Sequence, residues 1–213
     1  MPETIVSPSD LHPRDFTSEV VRILEKFEKA ARDIGPRHVG MARLASELGI
    51  STKTLYRHFP AKTDLVTSLI RHRLAGWQTM RDMQLAAKMP ALQRIHRIAA
   101  SWVAYITSFS PDFWRQLARD FPDAQAIIEE EYASFMLQGG QNLVAIVRDD
   151  LDPQIALHAL KSLIERAADV HYCQQMNQPP ATVLREHLAI WAGGAVRPSD
   201  IVPLEQEPWP SVM

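Results

Sequence analysis

Apolar residues return at steps of three and four along almost the whole chain, and the strict alternation of a half-buried strand is nearly absent. A first helix is predicted over 16–34, with Val20, Ile23, Leu24 and Phe27 on one stripe. Gly35-Pro36 ends it, glycine as the left-handed cap and proline to forbid continuation. A short helix over 40–48 turns Met41, Leu44, Ala45 and Leu48 inward. Between Gly49 and Pro60 only two turns or so of a third helix fit, and a fourth runs from near Ala61 into the eighties.

Beyond Pro90, Leu92, Ile95, Ala99, Trp102, Ile106 and Phe109 trace one narrow stripe. Ser110-Pro111 breaks it, and a short helix carries Phe113, Trp114 and Leu117. Pro122 opens a long helix that Gly139-Gly140 is expected to kink. Asp152-Pro153, an N-cap followed by proline at the first helical position, starts another that is expected to reach Met176. A last helix spans 180–191 and stops at Gly193-Gly194, and the proline-rich, aperiodic 195–213 reads as a tail. The class is all-α, with about nine helices.

Charge divides this helical string. From Arg14 to Arg73 there are twelve Lys/Arg against seven Asp/Glu, whereas the remainder carries eleven against eighteen. The two parts therefore invite two jobs. Cys173 is the single cysteine of the 213 residues, so no disulfide within the chain and no thiolate cage is possible. The start, residues 1–16, has neither a basic n-region nor an apolar run, and no uncharged stretch approaches the ~18 residues that span a bilayer. A cytoplasmic protein without a membrane partner is expected.

The third helix raises the functional question, because a helix shorter than ~12 residues is marginal alone. Ala45, Gly49 and Leu55 stand in the order small residue, turn glycine, buried aliphatic, as a helix-turn-helix requires. Ser51 caps the new helix, and Leu55 and Phe59, four apart, face inward together. Thr52, Lys53, Tyr56 and Arg57 then point outward, flanked by Thr54 and His58. Lysine and arginine can donate to guanine edges in a major groove, and threonine can offer a hydroxyl or methyl contact. Tyr56, His58 and Lys62 lie where phosphates are the expected partners. Gly40, Met41 and Arg43, at the start of the second helix, approach the DNA backbone, where free N–H groups meet anions.

Residues 16–76 resemble the DNA-binding domain of the tetracycline-repressor (TetR) family. The matching residues are Gly35, Met41, Leu44-Ala45, Gly49-Ile50-Ser51, Thr54-Leu55-Tyr56, His58-Phe59, Lys62 and Leu65, in unbroken register. Two positions depart: Val39-Gly40 stands where the family usually has threonine or serine, and Pro36 where an aromatic is usual. The resemblance implies an arm over 1–15, a three-helix DNA-binding domain over 16–76 with its helix-turn-helix at 40–59, and a ligand-binding and dimerisation domain over 77–194. It further implies a homodimer that binds a near-palindromic double-stranded DNA operator, usually as a repressor, and releases it when a small-molecule effector binds.

An aromatic-rich middle of the chain is the expected effector pocket: Trp102, Tyr105, Phe109, Phe113, Tyr132 and Met136, with Arg166 and His171 as polar groups. Leu157, Leu160, Ile164, Ala167, Leu184, Leu188 and Trp191 are expected at the dimer interface, by resemblance and because last helices often pack as a four-helix unit. A helical-bundle enzyme is the competing class. It needs Glu-x-x-His pairs, a phosphate loop or a nucleophile turn, and none is present. His171-Tyr172-Cys173 lacks a second ligand at helical spacing. No cofactor and no metal are expected. An activator, or a regulator that answers to a protein, shares every one of these features.

Overall fold

The computed structural model describes residues 16–204, and only the backbone over 138–142; the expected arm over 1–15 and the end of the tail, 205–213, lie outside the described residues. Ten α-helices and no strand occur among the described residues: α1 (Ser18–Ile34), α2 (Met41–Leu48), α3 (Thr52–His58), α4 (Lys62–Ala86), α5 (Ala91–Thr107), α6 (Pro111–Asp120), α7 (Pro122–Leu143), α8 (Pro153–Ala168), α9 (Val170–Gln175) and α10 (Pro180–Ala195). They form two compact units. Among the described residues, the first holds 16–76 together with Phe109–Glu130, the second Trp77–Ser108 and 131–204.

In the N-terminal unit α1 buries Val20, Ile23, Leu24, Phe27 and Ala31, the predicted stripe. Thr17 caps it, its hydroxyl accepting from Val20 N at 3.3 Å. α2 packs on α1 and α3, and α6 packs on α1 and on a 3-10 turn over Pro36–His38. The inclusion of α6 departs from a boundary at residue 76. Its cause is a set of polar ties: Ser110 N donates to Arg32 O (3.0 Å) and Ser110 Oγ to Asp33 O (3.0 Å), satisfying carbonyls that the end of α1 leaves free. Gln116 of α6, buried, donates to Ile34 O and accepts from Arg37 N, each at 3.0 Å.

In the C-terminal unit α10 packs on α8 and α5, and α5 on α8. Two helix ends differ from expectation. Asp169 breaks the helix expected to reach Met176: its carboxylate accepts from His171 N (2.9 Å) and Tyr172 N (3.1 Å), so it caps α9 instead of continuing α8. Conversely, α10 runs through Gly193-Gly194 to Ala195. The chain then does not leave as a tail. Val196 is buried and pairs antiparallel with Val147, with Arg148 N on Ala195 O (3.0 Å) and Arg197 N on Ile146 O (2.9 Å). α7 is continuous through Gly139-Gly140.

Candidate nucleic-acid interface

Seven residues make α3, and two anchors hold it. Leu55 and Phe59 are fully buried. Ser51 has extended backbone, its hydroxyl oxygen accepting from Thr54 N at 3.0 Å, which supplies the cap. Gly49 makes the turn at φ +69°, in the left-handed region where a side chain is strained, and its N–H and that of Ile50 close the end of α2 on Ser46 O and Ala45 O.

The outer face of α3 is open. Thr52, Lys53 and Arg57 are exposed, and Tyr56 is 45% exposed, a large fraction for an aromatic. Ser51 is exposed and Thr54 half-buried, its hydroxyl 2.9 Å from that of Ser51.

Three expected contacts are differently placed. The His58 ring is turned to α1, its Nε2 buried and 3.3 Å from Glu19 Oε2, so that nitrogen does not face solvent. Lys62 donates its ammonium to Arg37 O at 2.5 Å. Burial, and then the Arg37 charge, hold its pKa below the ordinary lysine value. Arg43 extends into solvent but donates Nε to Glu47 at 2.9 Å, and Glu47 also meets Lys26 at 3.1 Å. These two cations, Arg43 first, hold the Glu47 carboxyl below its usual range.

Gly40 caps α2 with backbone alone, at φ −77°, and Met41 is half-buried behind it. Beside Gly40 the surface is hollow, about 190 Å3, with Lys26 and Lys29 of α1, His38 and Arg43 around it. The two α1 lysines were not singled out from sequence. Their signal was there: they lie three apart, off the buried stripe, in the basic half of the chain.

The expected effector residues fall in two places. Phe109 and Phe113 belong to the N-terminal unit, stacked at 4.2 Å with the Arg32 guanidinium 5.4 Å from the Phe109 ring. Trp102 and Tyr105 are buried in the C-terminal core, where Trp77, Trp102, Tyr132 and Phe135 pack ring to ring at 5.0–5.5 Å. The Tyr132 hydroxyl lies 3.5 Å from Glu165, and burial, then the Glu165 charge, push its pKa well up. Arg166 is exposed, over the Tyr172 ring and 3.8 Å from Asp169, and His171 is exposed. Cys173 is buried with its thiol pKa raised by that burial, then by Asp169, which argues against a nucleophile.

A cavity of about 210 Å3 does open in the C-terminal unit, between α4, α5, α7 and α8. Of the expected pocket residues only Met136 lines it, and the others are replaced by aliphatic walls and by Arg81 and Arg94. Leu157, Leu160 and Ile164, expected at a dimer face, also line it. Ala167, Leu184, Leu188 and Trp191 are buried within the chain as well, Trp191 donating to Ala156 O at 3.0 Å. The seven residues are core. The apolar groups that α8 and α10 leave in solvent are Ile155 and Ile190, 71% and 73% exposed, alongside exposed Ala159, Gly193 and Gly194.

The family of bacterial regulatory proteins, tetR family, matches residues 23–69. Nucleoid occlusion factor SlmA of Haemophilus influenzae is 34% identical over 64 residues, which are 30% of this chain and 29% of that protein. The chain thus aligns with less than a third of this curated relative's length. Across most of the chain the likeness is one of fold. A transcriptional regulator from Saccharomonospora viridis, solved with choline, is 20% identical with a TM-score of 0.71, over 85% of this chain and all of that one. SmeT of Stenotrophomonas maltophilia, as its triclosan complex, is 14% identical with a TM-score of 0.65, over 91% of this chain and all of that one. Residues 23–69 thus carry the helix-turn-helix domain of the tetR family of bacterial regulatory proteins, set in a fold that most of the chain shares with solved regulators.

Proposed function

We propose that the chain is a ligand-responsive transcriptional repressor, not an enzyme, that works in the cytoplasm and binds a near-palindromic operator as a homodimer. One observation carries this reading: α3 is clamped from behind by Leu55 and Phe59 and presents Thr52, Lys53, Tyr56 and Arg57 to solvent. Seven residues at ~1.5 Å rise are about 10 Å of helix, enough for a few base pairs only. Specificity then needs a second copy, with the two recognition helices roughly 34–36 Å apart in successive major grooves.

In this reading Lys53 and Arg57 read base edges, and Tyr56, Ser51 and Thr52 meet the groove walls. Phosphate sits against the hollow beside Gly40, where the free N–H groups of α2 add to Lys29 and to Lys26 and Arg43, which exchange their Glu47 partner for the phosphate. The partner copy packs on Ile155, Ala159, Ile190 and Gly193, where small residues allow close helix approach. The C-terminal cavity takes the effector, and release needs only that the effector bind one of two dimer spacings better. The structural neighbours solved with choline and with triclosan support a ligand in this fold.

Selection of bound duplex from a random pool tests the reading. A two-fold symmetric winner with half-sites about one turn apart is expected. Enrichment of no sequence would overturn it. A reporter placed behind the winning sequence separates repression from activation.

A further inference from the structure

Two arginines reach the C-terminal cavity, and their surroundings differ. Arg81 is neutralised: Nη1 donates to Glu131 Oε1 at 2.5 Å, Nε to Asp82 at 3.0 Å, and the guanidinium lies 5.2 Å from the Trp77 ring centre. Arg94 has no such company. Its Nη2 donates to two backbone carbonyls, Ala87 O at 3.3 Å and Met89 O at 3.2 Å. Its Nε is buried without a hydrogen-bond partner, and no carboxylate among the described residues pairs with it.

Carbonyls orient a guanidinium but leave its charge uncompensated. Arg94 is half-buried; a cation partly withdrawn from water without a counter-ion carries a cost, and its buried Nε–H with no acceptor adds to it. One oxyanion at Arg94 removes both, by the charge-assisted bonds that guanidinium makes with carboxylate. The rest of the lining admits no second charge: Leu85, Ile98, Phe135, Leu157, Leu160 and Ile164 are apolar.

We propose that the cavity selects a small apolar monocarboxylate, its oxyanion on Arg94 and its hydrocarbon body against the aliphatic walls of α5, α7 and α8. This rests on the effector reading above. The volume sets the size: 210 Å3 is about seven water volumes, room for on the order of seven to ten heavy atoms, as in hexanoate, octanoate or a benzoate. An amine meets the uncompensated Arg94 guanidinium and is rejected. A dicarboxylate brings a second charge that no cavity residue matches.

The full-length chain, titrated calorimetrically with octanoate, octanamide and octylamine at neutral pH, tests this. Octanoate is expected to bind at least tenfold tighter than octanamide, and octylamine not at all. Arg94→Gln, which keeps an amide N–H for the carbonyls, brings acid and amide to within about twofold, and Leu160→Trp, which fills the cavity, abolishes both. Equal binding of acid and amide overturns the proposal even if Leu160→Trp abolishes both, an outcome that leaves the cavity as an effector site. Retention of the acid preference in Arg94→Gln, or no binding of any of the three, also overturns it. Octanoate that binds as expected but leaves the selected operator bound keeps the carboxylate site and removes the effector reading.

Discussion

Gly35 is the position where a single methyl group does the most damage that the structure can account for. Its backbone stands at φ +83° and ψ 157°, a region essentially closed to residues with a Cβ, so strain alone costs about 1–3 kcal/mol. An added Cβ would lie 2.3 Å from the Gln116 carboxamide. That group can move only by surrendering its bonds to Ile34 O and Arg37 N, each worth about 0.5–1.5 kcal/mol. Gly35→Ala is therefore expected to cost the N-terminal unit about 2–6 kcal/mol. Gln116→Ala alone loses just the two bonds, about 1–3 kcal/mol.

The double variant separates this account from a general sensitivity of the turn. Gly35→Ala has already broken the Gln116 bonds, so adding Gln116→Ala costs little more, and the pair is non-additive by roughly the value of those bonds. Amide hydrogen exchange at Phe27 and Leu44, both in the core of this unit, reads its opening free energy without interference from the other unit. Simple additivity, or a Gly35→Ala cost below about 1 kcal/mol, would refute the reasoning. Operator affinity is expected to fall in parallel, because the turn that Gln116 holds also carries Arg37 O, the acceptor of Lys62, and leads directly into Gly40.

Lys53→Ala and Arg57→Ala are each expected to weaken binding to the selected operator by about 1–3 kcal/mol and to relax its sequence, whereas Lys62→Ala weakens binding to all duplexes alike; fluorescence anisotropy with operator and scrambled DNA reads the difference, and unchanged sequence preference in both helix variants counts against them as base readers. Ile155→Glu with Ile190→Glu is expected to turn a dimer into a monomer in sedimentation, while Leu188→Ala costs about 2–5 kcal/mol in unfolding and leaves the oligomer intact. His72 lies half-buried beside Phe16, and burial, then the Arg73 charge, lower its pKa below 6.5 despite Glu28 and Glu25. The unfolded chain thus takes up that proton more readily, so stability is full above pH 6.5 and declines as pH falls beneath it, levelling off under the lowered value. Urea unfolding between pH 7.5 and 5.5 is expected to show a smaller loss in His72→Gln than in the parent, and an equal loss would exclude His72 as the source.

What the sequence disclosed follows from what a local signal can encode. Gly35-Pro36, Gly49-Ile50-Ser51, Ser110-Pro111 and Asp152-Pro153 act through their own backbone, and the helix ends they set stand within two residues of expectation. Asp169 acts locally too, but an aspartate inside an apolar period has no unique reading until its carboxylate is seen to accept from two N–H groups. Gly193-Gly194 misled for the opposite reason. The end of α10 is set by backbone pairing with residues 146–148, some fifty positions away, and no pattern near the glycines carries that.

The functional surfaces divide along the same line. The face of α3 was legible because Leu55 and Phe59 mark its back, and on a short helix the front is whatever remains. A buried stripe on α8 or α10 says that a residue is covered, not by what, and Leu157, Leu160, Ile164, Leu184 and Leu188 are covered by their own chain. A face for a second copy needs apolar residues in excess of that stripe. Ile155 stands two before Leu157, and Ile190 two after Leu188, about 200° around each helix from the core at 100° per residue. On the dimer proposed above, a hydrophobe on the side that the period assigns to water is the trace a partner would leave in a helical sequence, and Ile155 and Ile190 are the residues of α8 and α10 that carry it.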